Sequence, residues 1–186
     1  MNLPNKITVF RVILVPFFVF FMVFDKLPGN KWYALAIFII ASCSDLVDGK
    51  LARKYNLVTD FGKFMDPLAD NLLVDSAMIA LCGIGRLYSV VVIIVIGREF
   101  IISGFRLVAA DNGRVIAASI WGKVKTVVQM IMVCVLIADL GAEFGGTAHD
   151  VIGVVEAVLV VAATMLAVVS LLDYIAKNRD VISSQK

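Results

Sequence analysis

The chain has 186 residues, 61% of them apolar, with a mean hydropathy of +0.95 and a formal charge of +2. A soluble domain is about 45–50% apolar, so this composition excludes an ordinary water-soluble globule and predicts a chain embedded in lipid. At about 20 residues per crossing, some six helices fill the length, and residues 1–186 read as a single integral membrane domain.

The first apolar segment, roughly 8–24, opens after Lys6 and contains Arg11 and Pro16. No small-residue cleavage site follows it, so it reads as a first membrane helix and not as a removable signal. Pro16 should kink that helix or be accommodated by neighbouring packing. Five more segments follow at roughly 32–54, 65–84, 88–110, 117–140 and 150–175. Each reads as a helix, because backbone polar groups in hydrocarbon must be satisfied within the segment. The fold class expected is therefore all-α, a polytopic membrane helix bundle of about six transmembrane helices. His149 falls in the last connector, 141–149, as a solvated loop residue, and Asp139, Glu143 and Asp150 read as a solvated rim. Cys43, Cys82 and Cys134 lie in apolar stretches without C-x-x-C spacing, which argues against a disulfide framework or a zinc site. Nothing suggests a nucleic-acid partner.

Lys and Arg set the orientation. With six crossings, both termini and the second–third and fourth–fifth connectors share one side. That side collects 14 of the 17 basic residues, against Lys26, Lys31 and Arg86 on the other. Both termini are expected in the cytoplasm, in a multi-pass protein of the cytoplasmic membrane.

Between segments two and three the chain carries D-x2-D-G-x2-A-R-x8-G-x3-D-x3-D, formed by Asp45, Asp48, Gly49, Ala52, Arg53, Gly62, Asp66 and Asp70. Spacings of three and four put each aspartate pair on one helical face. An intramembrane carboxylate is expensive unless it is paired, hydrated or bound to metal. A lone one would read as an ion-pair partner for a nearby Lys or Arg, but four in this pattern read as hard oxygen ligands for divalent cations. A two-metal site for a phosphate-bearing substrate follows. The pattern lacks the alternating ligands and final Glu of an EF-hand. Asp45 precedes Lys54 by about 13 Å of helix, so the site should open to the cytosol. Gly49 and Ala52 would leave room for a bulky group, and Arg53 could bind a phosphate oxygen. A cation or proton transporter would spread such acids through the membrane depth or between repeated halves, whereas here they occupy one stretch.

Arg98, Arg106 and Lys123 lie in otherwise apolar segments. Arg98 and Arg106, close to two turns apart, are expected on one face, and with Lys123 they form a candidate phosphate pocket. The competing reading is snorkelling, or ion pairing with Glu99 or Asp111. Arg106, Arg114 and Lys125, nearest the helix ends, are the foremost snorkelling candidates. Asn5, Thr8 and Arg11 recur at helical spacing, either as a helix cap and interfacial anchor or as pocket lining.

The eight-residue motif resembles the signature of the CDP-alcohol phosphotransferase family, with every position and spacing matched. Pro4–Thr8 with Arg11, Gly62–Asp70, Gly97–Phe100 with Ser103, Gly104 and Arg106, and Gly122–Thr126 extend the likeness to its bacterial glycerol-3-phosphate-using branch. Asn71, Asp60 and Asp75 depart from that branch's pattern. The resemblance implies CDP-diacylglycerol as donor, glycerol 3-phosphate as acceptor, Mg²⁺ or Mn²⁺ as cofactor and a homodimeric assembly. It implies Asp45, Asp48, Asp66 and Asp70 as metal ligands, with Asp70 also the general base. Asp48, Gly49, Ala52, Arg53 and Gly62, with Asn5 and Thr8, would hold the donor, and Arg98, Arg106 and Lys123 the acceptor phosphate. A same-family enzyme using another alcohol is the alternative.

Overall fold

The computed structural model describes the backbone over residues 3–24, 26–54, 60–111, 119–144 and 146–178, and the side chains over 6–24, 26–44, 68–69, 71–110, 119–144 and 146–178. The chain is all-α: α1 (Leu3–Val23), α2 (Asn30–Lys54), α3 (Asp60–Gly83), α4 (Ser89–Asp111), α5 (Ile120–Ala138) and α6 (Thr147–Lys177), with a 3₁₀ turn at Leu140–Ala142. These match the six hydrophobic segments to within a few residues. α1 begins earlier than hydropathy alone suggests, because Pro4 falls in its first turn, where a missing N–H costs nothing. Pro16 is accommodated, and α1 runs through it without a break.

Among the described residues, three helices are long and apolar enough to cross a membrane, with windows at Lys6–Val23, Ile120–Ala142 and Thr147–Lys177. The other three include the most charged segments: α2 and α3 hold the acidic motif, and α4 holds Arg98, Glu99, Arg106 and Asp111. α6 leaves Val151, Val154, Val158, Val161, Met165 and Leu172 exposed. A continuous apolar face of this kind fits a lipid environment.

The residues group into two compact units, 1–87 with 133–140, and 88–132 with 141–186. In the first, α2 and α3 both pack on α1. Thr8, Arg11, Val15, Phe18 and Met22 make the buried stripe of α1, at steps of three and four. α2 contributes Ala34, Phe38 and Ala41, and α3 contributes Ala69, Leu73, Ala77 and Leu81, all buried. Phe18 and Phe38 meet with ring centroids 5.8 Å apart, and Phe21 and Tyr33 at 5.5 Å, so α1 and α2 run antiparallel. The alanines flanking Phe38 let the backbones approach closely, which matters in lipid, where packing and not hydrophobic expulsion holds helices together.

At the other end of this unit, Arg86 pairs with Asp139 at 2.9 Å. The Asp139 carbonyl accepts a hydrogen bond from Lys31 Nζ at 3.3 Å. Asp139, expected on a solvated rim, is instead a clasp joining three parts of the chain. It also adopts φ 45°, in the left-handed region that Asp tolerates better than bulkier residues.

In the second unit α4 packs on α6. Two pairs set the register, Arg98 with Ser170 and Phe105 with Tyr174, whose rings meet edge-on at 6.2 Å. Both members advance along the chain together, so α4 and α6 run parallel. His149 is not a loop residue. It lies in the first turn of α6, where Nδ1–H donates to the Gly141 carbonyl at 2.7 Å.

Overpacking the α1–α2 seam should be costly. Ala41→Leu is expected to lose about 1–3 kcal/mol, seen as a lower thermal midpoint in detergent micelles. Ile39→Leu, at an exposed position of the same helix, should leave that midpoint unchanged.

Candidate active site

The motif occupies the last turns of α2 and the first turns of α3. The side chains of Asp45, Asp48, Gly49, Ala52, Arg53, Gly62, Asp66 and Asp70, and that of Asn5, lie outside the described residues. Their helical positions are nonetheless informative. Counting on from Ala34, Phe38 and Ala41 by the same steps of three and four reaches positions 45, 48 and 52. Counting back from Leu73 and Ala77 reaches 66 and 70. All four aspartates therefore sit at positions that continue the stripes by which α2 and α3 pack on α1.

α1 completes that pattern. Its antiparallel register with α2 brings Thr8 and Arg11 level with the 43–48 stretch that contains Asp45 and Asp48. Thr8 is 0% exposed and Arg11 only 1%. Arg11 is thus no interfacial anchor: a guanidinium this buried is held by polar interactions within the protein. Of the two roles open to these residues, burial on this face favours pocket lining.

The basic residues of the second unit divide into two kinds. Arg98 is buried at 9% exposure, whereas Arg106 and Lys123 are exposed. The expectation that the two arginines share a face fails for a simple reason. Eight residues at 3.6 per turn overshoot two turns by about 80°. Arg98 donates from Nε to Ser170 Oγ at 3.0 Å and from Nη1 to Glu99 Oε2 at 2.9 Å. The other oxygen of Glu99 accepts from Lys125 Nζ. Lys125, expected to snorkel, is 1% exposed and ion-paired. Sequence reasoning passed over it because nearness to a helix end says nothing about which way a side chain faces. Glu99 appeared there only as a possible neutraliser of Arg98. Its place between two basic segments was the available signal.

α5 reaches this cluster through Gly122, where an added Cβ would lie 3.3 Å from Arg98 Nη2. Ser119 caps the helix, its Oγ accepting from the Gly122 N–H at 3.2 Å. Tyr174, one turn beyond Ser170 on α6, is buried at 3% exposure, and its hydroxyl finds no partner among the described residues.

Four carboxylates on two helices that pack on a common neighbour are a donor set of hard oxygens, the chemistry that divalent Mg²⁺ or Mn²⁺ takes. Among the described residues, which do not include the motif's side chains, no group of three or more His, Cys, Asp or Glu is fit to hold a metal. The motif thus fits a metal centre, and the basic cluster of the second unit fits an anion.

Tyr174→Phe should retain the thermal midpoint or raise it slightly, since removing an unpaired buried hydroxyl removes a desolvation penalty. A large loss on thermal unfolding in detergent would show that the hydroxyl has a partner.

Comparison with known proteins bears on this arrangement directly. The family model for CDP-alcohol phosphatidyltransferase matches residues 1–172. CDP-diacylglycerol–glycerol-3-phosphate 3-phosphatidyltransferase of Bacillus subtilis (strain 168) is 47% identical over 147 residues, 73% of this chain and 76% of its own. The protein of that name from Rickettsia felis is 37% identical over 163 residues, 87% of each chain. A probable phosphatidylglycerophosphate synthase of Mycobacterium tuberculosis is 35% identical over 178 residues, 95% of this chain and 81% of its own. With its signature carried unbroken from Asp45 to Asp70 and a match across nearly its whole length, the chain belongs to the CDP-alcohol phosphatidyltransferase family.

Proposed function

We propose that the protein is a phosphatidyltransferase that converts CDP-diacylglycerol and sn-glycerol 3-phosphate to phosphatidylglycerol phosphate and CMP. The observation that carries this reading is the similarity, over 70–95% of the chain, to relatives named for that reaction. The buried arginine with its lysine neighbour favours a phosphorylated acceptor over serine or another uncharged alcohol.

In the reaction a new P–O bond forms between the acceptor hydroxyl and the lipid-bearing phosphorus, and the P–O bond to CMP breaks. Asp70 takes the proton from the attacking hydroxyl, and a carboxylate set among other charged groups must be closely positioned to do so. Asp45, Asp48 and Asp66, with Asp70, would hold two divalent cations, Mg²⁺ or Mn²⁺. Bound there, these ions would supply a clamp on the diphosphate and stabilise charge on departing CMP. Gly49, Ala52 and Gly62 give the nucleotide room, Arg53 and Asp48 contact it, and Asn5 and Thr8 line the donor pocket from α1. Of the three residues expected to bind the acceptor phosphate, Arg98, Arg106 and Lys123, the buried Arg98 is the one that carries that role. Taken with six crossings, the bias of basic residues supports cytoplasmic termini and a site open to the cytosol. The protein is a single domain in the cytoplasmic membrane, working as a homodimer like the family it resembles.

Purified protein supplied with CDP-diacylglycerol should release CMP with glycerol 3-phosphate and only poorly with glycerol, serine or inositol. EDTA should abolish release, and added Mg²⁺ or Mn²⁺ should restore it. Efficient use of an unphosphorylated alcohol would move the protein to another branch of its family, and full turnover in metal-free buffer would remove the two-metal centre.

Asp70→Asn keeps size and polarity but not basicity. Turnover should drop by about 10²–10⁴-fold, with donor binding largely retained, whereas Asp48→Asn or Asp66→Asn should also weaken metal-dependent donor binding. Near-normal turnover in Asp70→Asn would mean that another group takes the proton.

A further inference from the structure

Glu99 of α4 divides its carboxylate between cations on two helices, Oε2 to Arg98 and Oε1 to Lys125 of α5. Ser170 of α6 fixes the remaining edge of the guanidinium, since Nε donates to its Oγ at 3.0 Å. The serine hydroxyl is itself committed, donating to the Ala167 carbonyl at 3.0 Å, so its lone pairs turn to the arginine. Three helices of the second unit thus converge on one guanidinium. Two of its nitrogens are taken, and no hydrogen bond among the described residues uses Nη2, which abuts the space left by Gly122.

We propose that Glu99 and Ser170 are positioning residues that hold Arg98 and Lys125 together as a preformed cationic pair for the acceptor phosphate, an inference that rests on the phosphatidyltransferase reading above. Two like charges in a low-dielectric interior repel, and left alone they would separate. A carboxylate between them overcomes that repulsion and sets their spacing before substrate arrives. A phosphate then meets cations already in place, with little reorganisation on binding. If Glu99 served only to neutralise Arg98, one cation would suffice. Its second oxygen instead recruits Lys125, which becomes an acceptor-site residue in addition to Arg98. Ser170 prevents the guanidinium from rotating out of the plane that Glu99 defines.

The test measures KM for glycerol 3-phosphate and for CDP-diacylglycerol by CMP release, together with thermal midpoints in detergent. The proteins compared are wild type, Glu99→Gln, Ser170→Ala, Arg98→Gln and the Arg98→Gln/Glu99→Gln double variant. Glu99→Gln should raise the acceptor KM about tenfold or more, the scale of a charge-assisted hydrogen bond, and Ser170→Ala about fivefold. The donor KM should stay within about twofold of wild type in both, because the effect is confined to one substrate. On the Arg98→Gln background Glu99→Gln should add far less, since the residue it positions has gone. An unchanged acceptor KM in both Glu99→Gln and Ser170→Ala, or an equal rise for both substrates, overturns the positioning role. Should Glu99→Gln fail to accumulate as folded protein, Ser170→Ala decides alone. Failure of the wild type to use glycerol 3-phosphate overturns the phosphatidyltransferase reading itself. A response to Arg98→Gln without one to Glu99→Gln or Ser170→Ala leaves that reading standing and removes only the positioning role.

Discussion

The packing of α2 and α3 on one stripe of α1 is the constraint from which the motif's placement follows. In lipid the helices gain little from expelling water, so their association depends on close contact and on satisfying polar groups across the seam. Ala34, Ala41, Ala69 and Ala77 supply the close contact, all buried at 1% exposure or less, and the paired rings of Phe18 and Phe38 set the register. Steps of three and four then carry the same stripes into positions 45, 48, 66 and 70. One periodicity thus serves twice, apolar and tight at one end of each helix, acidic at the other. Shifting α2 by a residue would turn each helix position by about 100° and carry the carboxylates off the shared face.

The second unit meets the expense of charge differently. Arg98, Glu99 and Lys125 are deep in apolar helices, where each alone would be strongly unfavourable. They are tolerable because they are joined, and Ser170 completes the hydrogen bonding. Such a network contributes little net stability, because desolvation offsets much of the Coulomb attraction. What it supplies is orientation: removing one member strands the others, so their geometry is fixed more firmly than any one contact energy implies.

Much of this was legible in the sequence. Helix number and extent followed from hydrophobic run length, and the acidic pattern from spacing alone, since helical periodicity relates residues three and four apart whatever surrounds them. The facing of single cations was less legible. Lys125 read as a snorkeller from its place near a helix end, yet a carboxylate 26 residues earlier holds it in the interior. Arg106 read as sharing a face with Arg98 because eight residues look like two turns, and the small excess per turn accumulates into a different side of the helix. Asp139 read as solvated because its partners, Lys31 and Arg86, are remote in sequence. In each case what was missing is a tertiary contact, which no local pattern encodes.

The two clusters also differ in what they require of a ligand. In the proposed two-metal centre, four carboxylates at neighbouring helical positions would need positive charge beside them, which divalent cations would supply. The Arg98–Glu99–Lys125 cluster carries its own counter-charge, one carboxylate meeting both cations. In the proposed reaction a donor diphosphate would be met by those ions together with Asp48, Arg53, Asn5 and Thr8, and an acceptor phosphate by protein groups alone. On that proposal each substrate has its own determinant: metal removal should act first on the donor, and changes around Glu99 first on the acceptor. Under that reading the acidic motif serves the donor and the basic cluster the alcohol, so that a change in one leaves recognition of the other substrate intact.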